Sequence, residues 1–245
     1  HELRTPLTSV IGYSEMLLEG LAGELNSDQR EYLGTILSKA EQLLQLITGI
    51  LDVSMLESGS LDLRSDAVVM PDLVESVVAT VRPSLRKRQI TLERGESDMP
   101  RVLGDHQKIR EILRNLITNA IKFTPERGHI HVSLAIGPLK PDQFDGDATA
   151  DRELGFQVII ADSGIGIAQD KQARIFEPFF QVDSSSTRAY GGSGLGLTLA
   201  KRYVEALGGH IWVDSSPGRG SSFTVSFPLV VNDLRDYLDR DIPAS

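Results

Sequence analysis

Three groups of residues in this chain could do chemistry together. The first is His1 with Glu2 directly after it, in the run His1-Glu2-Leu3-Arg4-Thr5-Pro6-Leu7. An imidazole beside a carboxylate is a nucleophile with a base attached. The carboxylate takes or polarises the proton on one ring nitrogen while the other attacks. The second group is Asn115 and Asn119, four residues apart, with Lys122 three further on. On a helix they share one face. Two neutral amide oxygens can help hold a Mg²⁺ that phosphate and water mainly ligate, and the lysine reaches the same phosphates. The third group is glycine-rich. Asp162-Ser163-Gly164-Ile165-Gly166 follows the apolar run Val158-Ile159-Ile160, and Gly191-Gly192-Ser193-Gly194-Leu195-Gly196 opens an apolar helical pattern that reaches Leu207. Glycine lets a backbone approach a ligand closely, and a helix start points N–H groups at phosphate. Asp162, at a strand end, can accept from the exocyclic amine of adenine, where guanine offers a carbonyl. Together the three groups imply phosphoryl transfer from an adenine nucleotide to His1.

Each group has a plainer alternative. The asparagines could be a solvated stripe, although asparagine is a poor helix former and two of them mid-helix need a reason. The Asp162 segment could be a simple turn, and the second glycine run a linker. That run is not a dinucleotide fingerprint, because neither G-x-G has a glycine three residues later. It is not a Walker A loop either, because the chain contains no Gly-Lys pair. Gln181 to Tyr190, rich in serine and carrying Arg188, reads as a lid over the site. His106, His129, His131 and His210 lack metal-site spacing and read as surface or packing residues.

Two kinds of scaffold must hold these groups. Over residues 1–57, apolar residues recur at three- and four-residue steps, broken at Gly20 and Gly23. Two helices follow from this pattern, the second capped by Asn26 or Ser27 and carrying Leu33, Ile36, Leu37, Ala40, Leu43, Leu44, Ile47, Ile50 and Leu51 near a heptad spacing. A hairpin alone cannot hide both stripes, so a homodimeric four-helix bundle is expected, the plainer alternative being a helical subdomain packed on its own neighbour. Pro6 inside the first helix should bend it. Beyond the hinge Glu57-Ser58-Gly59-Ser60 the pattern mixes helix and strand. Helices are expected at 71–88 and from an Asp105 cap to Phe123. Strands are expected at 90–92, 129–136, 156–160, 211–213 and 223–227. Residues 137–154 read as a surface insertion and 231–245 as a tail or linker.

The 245 residues carry a net charge of −9, which argues against nucleic acid as the main partner. With no cysteine, disulfides, thiolate metal sites and cysteine nucleophiles are excluded. No run approaches the roughly 18 apolar residues of a membrane span. The chain starts at histidine, so it reads as part of a longer protein, with any membrane attachment outside it.

With these motifs in one order, the chain closely resembles a bacterial-type sensor histidine kinase core over about residues 1–228. His1 to Leu7 resembles the phosphoacceptor box, Asn115 to Lys122 the asparagine box, and Asp162 to Gly166 and Gly191 to Gly196 the two glycine boxes. Ile175 to Phe180 resembles the phenylalanine segment and Gly218 to Phe223 the closing turn. The resemblance implies a multidomain fold. An all-α helical hairpin (1–60), forming the dimeric four-helix bundle, precedes an α/β two-layer sandwich that binds ATP (61–230), of the GHKL type shared with gyrase, Hsp90-type chaperones and mismatch-repair ATPases. It implies His1, Glu2 and Thr5 as catalytic, with Thr5 orienting a water for receiver dephosphorylation. It implies Mg²⁺ at Asn119 and Asn115, and ATP, with ADP as product, held by Asn115, Asn119, Lys122, Asp162, Gly164, Gly166, Phe176, Phe179, Arg188, Gly192, Gly194, Leu195 and Gly196. Phe176 and Phe179 should pack a floor under the lid. The implied partners are a second copy through the hairpin and the receiver domain of a response regulator, and the implied location is the cytoplasm. A nucleotide-binding scaffold and a conformational ATPase are the competing functions.

Overall fold

The computed structural model describes residues 2–58, 62–95, 100–140, 153–182 and 194–229. The chain divides into two compact units, His1–Ser60 and Leu61–Ser245.

The first unit is a helical hairpin. Helix α1, Arg4–Leu18, ends because Gly20 takes φ +81°, with Gly20 N–H donating to Leu17 O and Leu21 N–H to Met16 O. That pair of bonds is the Schellman stop, which favours glycine at the left-handed position. Helix α2, Ser27–Glu57, starts on a capping box: Asn26 Oδ1 accepts from Gln29 N at 2.8 Å and Gln29 Oε1 from Asn26 N at 3.0 Å. Pro6 falls in the first turn of α1. Among the hairpin's described residues only one apolar side chain, Ala40, is buried, while Ile36, Leu43 and Ile50 are 47%, 47% and 50% exposed.

The second unit is a two-layer sandwich. Its elements after the hairpin are β1 Asp66–Val68, α3 Met70–Arg88, β2 Thr91–Arg94, β3 Val102–Gly104, α4 His106–Phe123, β4 His129–Pro138, β5 Leu154–Asp162, α5 Gln169–Gln172, a 3₁₀ turn Arg174–Phe176, α6 Gly196–Ala206, β6 His210–Ser215 and β7 Ser221–Pro228. Five strands form one sheet in the order β2-β4-β5-β7-β6, with β2 and β4 parallel and the other pairs antiparallel; β1 and β3 make a small antiparallel pair. Phe156, Val158 and Ile160 of β5 lie opposite Phe227, Val225 and Phe223 of β7. All six are buried, as are Ile109, Ile112, Leu113, Leu116, Ile117, Ala120 and Ile121 on one side of α4. The three- and four-residue steps of that stripe press α4 onto the core, each leucine or isoleucine contributing about 1.5–3 kcal/mol. Asn115, Asn119 and Lys122 are left on its flank, half-buried.

The expected insertion over 137–154 is too wide. Strand β4 runs on to Pro138 and β5 begins at Leu154. Gln157 Nε2 donates to Pro138 O, Ser226 Oγ donates to Leu139 O, and Leu139 is 3% exposed. Burying Leu139 draws these residues into the sheet. The strands β1 and β3, α5 and the 3₁₀ turn were not read from the sequence. The expected tail, 231–245, lies outside the described residues.

Candidate nucleotide-binding site

Helix α4 is the spine of the site. Its first turn is closed by Asp105, whose Oδ1 accepts from Gln107 N at 2.9 Å and Lys108 N at 3.1 Å, while Oδ2 accepts from Arg64 N at 3.2 Å. Burial pushes the Asp105 carboxyl up, but these three N–H groups and the nearby Lys108 charge outweigh it. The net pKa lies below the usual aspartate value. One oxygen thus caps the helix and the other ties the chain leading into β1 to it.

Midway along α4, Asn115 Nδ2 donates to Gly196 O at 3.3 Å, at the first residue of α6. At its end, the Phe123 carbonyl meets the first glycine segment: a Cβ on Gly164 would sit 2.7 Å from Phe123 O and 2.5 Å from Asp162 Oδ1. One helix therefore touches both glycine segments. Asn119 lies between, and its side chain makes no hydrogen bond to a described residue. Lys122 Nζ stands 4.8 Å over the Phe123 ring, and burial lowers its pKa.

Asp162 ends β5. Burial raises its carboxyl pKa, with the N–H groups of Gly164 (2.8 Å to Oδ1) and Ser221 pulling partly the other way. Ser221, the register partner of Asp162, lies within the closing turn Gly218 to Phe223, although the sequence assigned it no role of its own. That turn is tight: Gly220 has φ +86°, and a Cβ there would lie 1.8 Å from Asp162 O. Gly166 has φ +69°, with Ser216 O at 2.0 Å from a Cβ. Ser215 and Gln172 were missed as well. Ser215 Oγ accepts from Ile167 N at 2.8 Å and donates to Gly220 O at 2.8 Å, while Gln172 Nε2 bonds both Ile167 O and Ser215 O. No sequence signal marked these two, because each acts only once distant loops have met.

Between the glycine segments, Gly194 at φ +70° packs against the Phe179 backbone, and Phe179 N–H donates to Gly194 O at 3.1 Å. Phe179 is one of the two expected floor residues. It is 59% exposed at φ +62°, and the segment buries Ile175 instead. Phe176 is half-buried, with Lys201 Nζ 5.6 Å over its ring. Leu195 is buried at the start of α6. Glu2 and Thr5 are exposed at the start of the hairpin. His1, Arg188 and Gly192 lie outside the described residues.

No group of three His, Cys, Asp or Glu able to hold a metal occurs among the described residues. A cation here would depend on amide oxygens and phosphate. The half-buried Asn119 side chain, free of described partners, fits that donor set.

A two-layer sandwich with one glycine segment at the middle of α4 and another at its end is the frame of a nucleotide-binding domain. The "Histidine kinase-, DNA gyrase B-, and HSP90-like ATPase" family matches residues 104–231, and the "His Kinase A (phospho-acceptor) domain" family matches residues 1–59. The chain belongs to the histidine kinase family. It is 42% identical to the circadian input-output histidine kinase CikA of Thermosynechococcus vestitus, over 96% of this chain and 31% of that protein. It is 37% identical to the autoinducer 2 sensor kinase/phosphatase LuxQ of Vibrio cholerae, over 100% of this chain and 27% of that protein. The chain thus spans about a third or less of these relatives' lengths. Full-length ShkA in complex with AMPPNP superposes with a TM-score of 0.73 at 30% identity, covering 94% of this chain and 44% of that one. The histidine kinase AdeS of Acinetobacter baumannii, at 22% identity and a TM-score of 0.61 over 94% of this chain and 98% of that one, shares the fold.

Proposed function

We propose that this chain is the core of an ATP-dependent protein-histidine kinase in two-component signalling. Residues 1–60 carry the phosphoacceptor and residues 61–230 bind ATP. The observation that carries this reading is α4 itself, which joins the Asp162–Gly166 loop at its end to the start of α6 at Asn115 and holds Asn119 and Lys122 between them. Asp162 accepts from the adenine amine, and the loop at Gly164 and Gly166 leaves room for the base. Gly192, Gly194, Leu195 and Gly196 bind the phosphates through backbone N–H groups, Arg188 is a further phosphate ligand, and Phe176 and Phe179 border the nucleotide. Mg²⁺, held by Asn119 and Asn115 together with phosphate, would neutralise phosphate oxygens.

One ring nitrogen of His1 attacks the γ-phosphorus. The bond from that phosphorus to the bridging oxygen breaks, and ADP leaves with the electron pair. Glu2 takes the proton that the ring then sheds from its other nitrogen. Lys122 stabilises the charge on the transferred group. The phosphoryl group then passes to an aspartate on the receiver domain of a response regulator, and Thr5 orients a water that attacks the receiver's phosphoaspartate, releasing inorganic phosphate and the free aspartate. The core works as a homodimer through the hairpin, on the cytoplasmic side where ATP is supplied. No described helix is long and apolar enough to cross a membrane.

Incubation with γ-labelled ATP and Mg²⁺ tests the reading. Acid-labile, base-stable label on the protein that is lost in His1→Ala supports it. Nucleotide binding without label points to a scaffold, and steady phosphate release without label to an ATPase.

A further inference from the structure

The last turn of α4 leaves backbone carbonyls without intrahelical donors. Ala120 O is taken by Thr124, whose N–H donates at 3.0 Å and whose Oγ1 donates at 2.6 Å. The next two carbonyls, of Ile121 and Lys122, are taken from another helix. Arg88 Nη1 donates to Ile121 O and, at 3.0 Å, to Lys122 O. Arg88 ends α3, and its own position is fixed on both sides. Gln89 adopts φ +56°, with Gln89 N–H bonded to Arg86 O and Ile90 N–H to Leu85 O, and Leu85 and Ile90 are both buried. The Arg88 carbonyl accepts from Arg127 N at 3.2 Å, and Arg127 Nε reaches Gln89 Oε1 at 3.0 Å.

The geometry points to Arg88 as a positioning residue for nucleotide phosphate. It staples the end of α3 to the end of α4, so that the backbone carrying Lys122 holds one orientation. The guanidinium also places positive charge at the negative end of the α4 dipole. It does this with backbone-directed bonds, which leaves the Lys122 ammonium for a ligand. A single guanidinium nitrogen, Nη1, engages both neighbouring acceptors, and a charged donor strengthens each bond. The inference rests on Lys122 contacting phosphate, as proposed above.

The test compares ATP with adenosine, which shares the base but lacks the phosphates, in titrations of the full chain with Mg²⁺. Arg88→Met should raise the Kd for ATP about tenfold and leave that for adenosine within about twofold. Arg88→Lys, keeping the charge and one bond, should lose about threefold for ATP only. In Arg88→Met combined with Lys122→Met, the ATP loss should match that of Lys122→Met alone within about twofold, because the staple acts through the lysine. Equal losses for ATP and adenosine, or additive losses in the double variant, overturn the inference. If Arg88→Met does not fold, Arg88→Lys decides by the same ATP-to-adenosine comparison. A full effect of Lys122→Met with none of Arg88→Met overturns the staple alone, whereas wild-type ATP affinity in Lys122→Met overturns the phosphate reading of Lys122 and the staple with it.

Discussion

At Asp162 function and stability pull in opposite directions. Burial raises the carboxyl's pKa more than the Gly164 and Ser221 N–H groups lower it. A folded-state pKa above the unfolded one contributes stability below the unfolded value, and that stability is lost as pH rises through the folded value. At neutral pH the ionised carboxylate is therefore a cost to the nucleotide-free fold, one the adenine amine would offset on binding. Asp162→Asn removes the charge and keeps an acceptor oxygen for the Gly164 N–H. Without nucleotide, this variant should melt above the wild type at pH 7, with the gap closing toward acid. Its ATP affinity should fall about tenfold or more, because the amide replaces one acceptor with a donor. Thermal melts from about pH 4 to 8 and an ATP titration check both halves; a lower melting temperature at pH 7 would refute the stability argument. Asp105 behaves in the opposite sense. Its lowered pKa means stability present above the unfolded value and lost as pH falls through the folded one. Asp105→Ala should cost about 1–2 kcal/mol in denaturant melts at pH 7 and less once the wild-type carboxyl is protonated.

Among the elements, the closing turn before β7 offers a clean contrast between backbone strain and crowding. Gly218 (φ +76°) and Gly220 (φ +86°) are both left-handed, but a Cβ on Gly218 would meet nothing within 4 Å, whereas one on Gly220 would strike Asp162 O at 1.8 Å. Gly218→Ala should cost only the conformational penalty, about 1–2 kcal/mol. Gly220→Ala must also push β7 from β5 at the residue that ends in the site, so it should cost several kcal/mol and abolish ATP binding. Equal melting temperatures for the two would show that crowding adds nothing. These elements also show what a sequence displays. The Asp105 cap, the Asn26 cap and the stripe of α4 were legible because each signal lies within a few residues of its effect. Strands β1 and β3 were not, because Asp66-Ala67-Val68 and Val102-Leu103-Gly104 are too short to carry a period and gain their identity from each other. The ends of β4 and β5 were misread as insertion, since the burial of Leu139 depends on Ser226, 87 residues away. Exposure at Phe179 was illegible for the same reason: its left-handed backbone is set against Gly194, not by its own apolar side chain.

On the scale of the whole molecule, the two units close their cores differently. The sandwich buries its apolar residues within itself, while the hairpin leaves Ile36, Leu43 and Ile50, spaced by seven, about half exposed on α2, with Val10, Tyr13 and Met16 exposed on α1. A strict seven-residue spacing is the seam of a coiled coil, and such a stripe calls for a cover of matching geometry. A second copy would supply one, because a twofold axis would set each stripe against its own image. That symmetry also doubles any damage. Leu43→Asp would place two carboxylates near one another in an apolar seam, at a cost of roughly 3 kcal/mol or more, or a hundredfold or more in dimer affinity. Sedimentation at micromolar concentration should show a dimer for the wild type and a monomer for Leu43→Asp. ATP affinity should stay within about twofold, since α4 and both glycine segments lie in the other unit. Leu43→Ile, which keeps the seam apolar, should remain dimeric. A monomeric wild type, or a dimer that survives Leu43→Asp, would mean that something other than the heptad stripe holds the copies together.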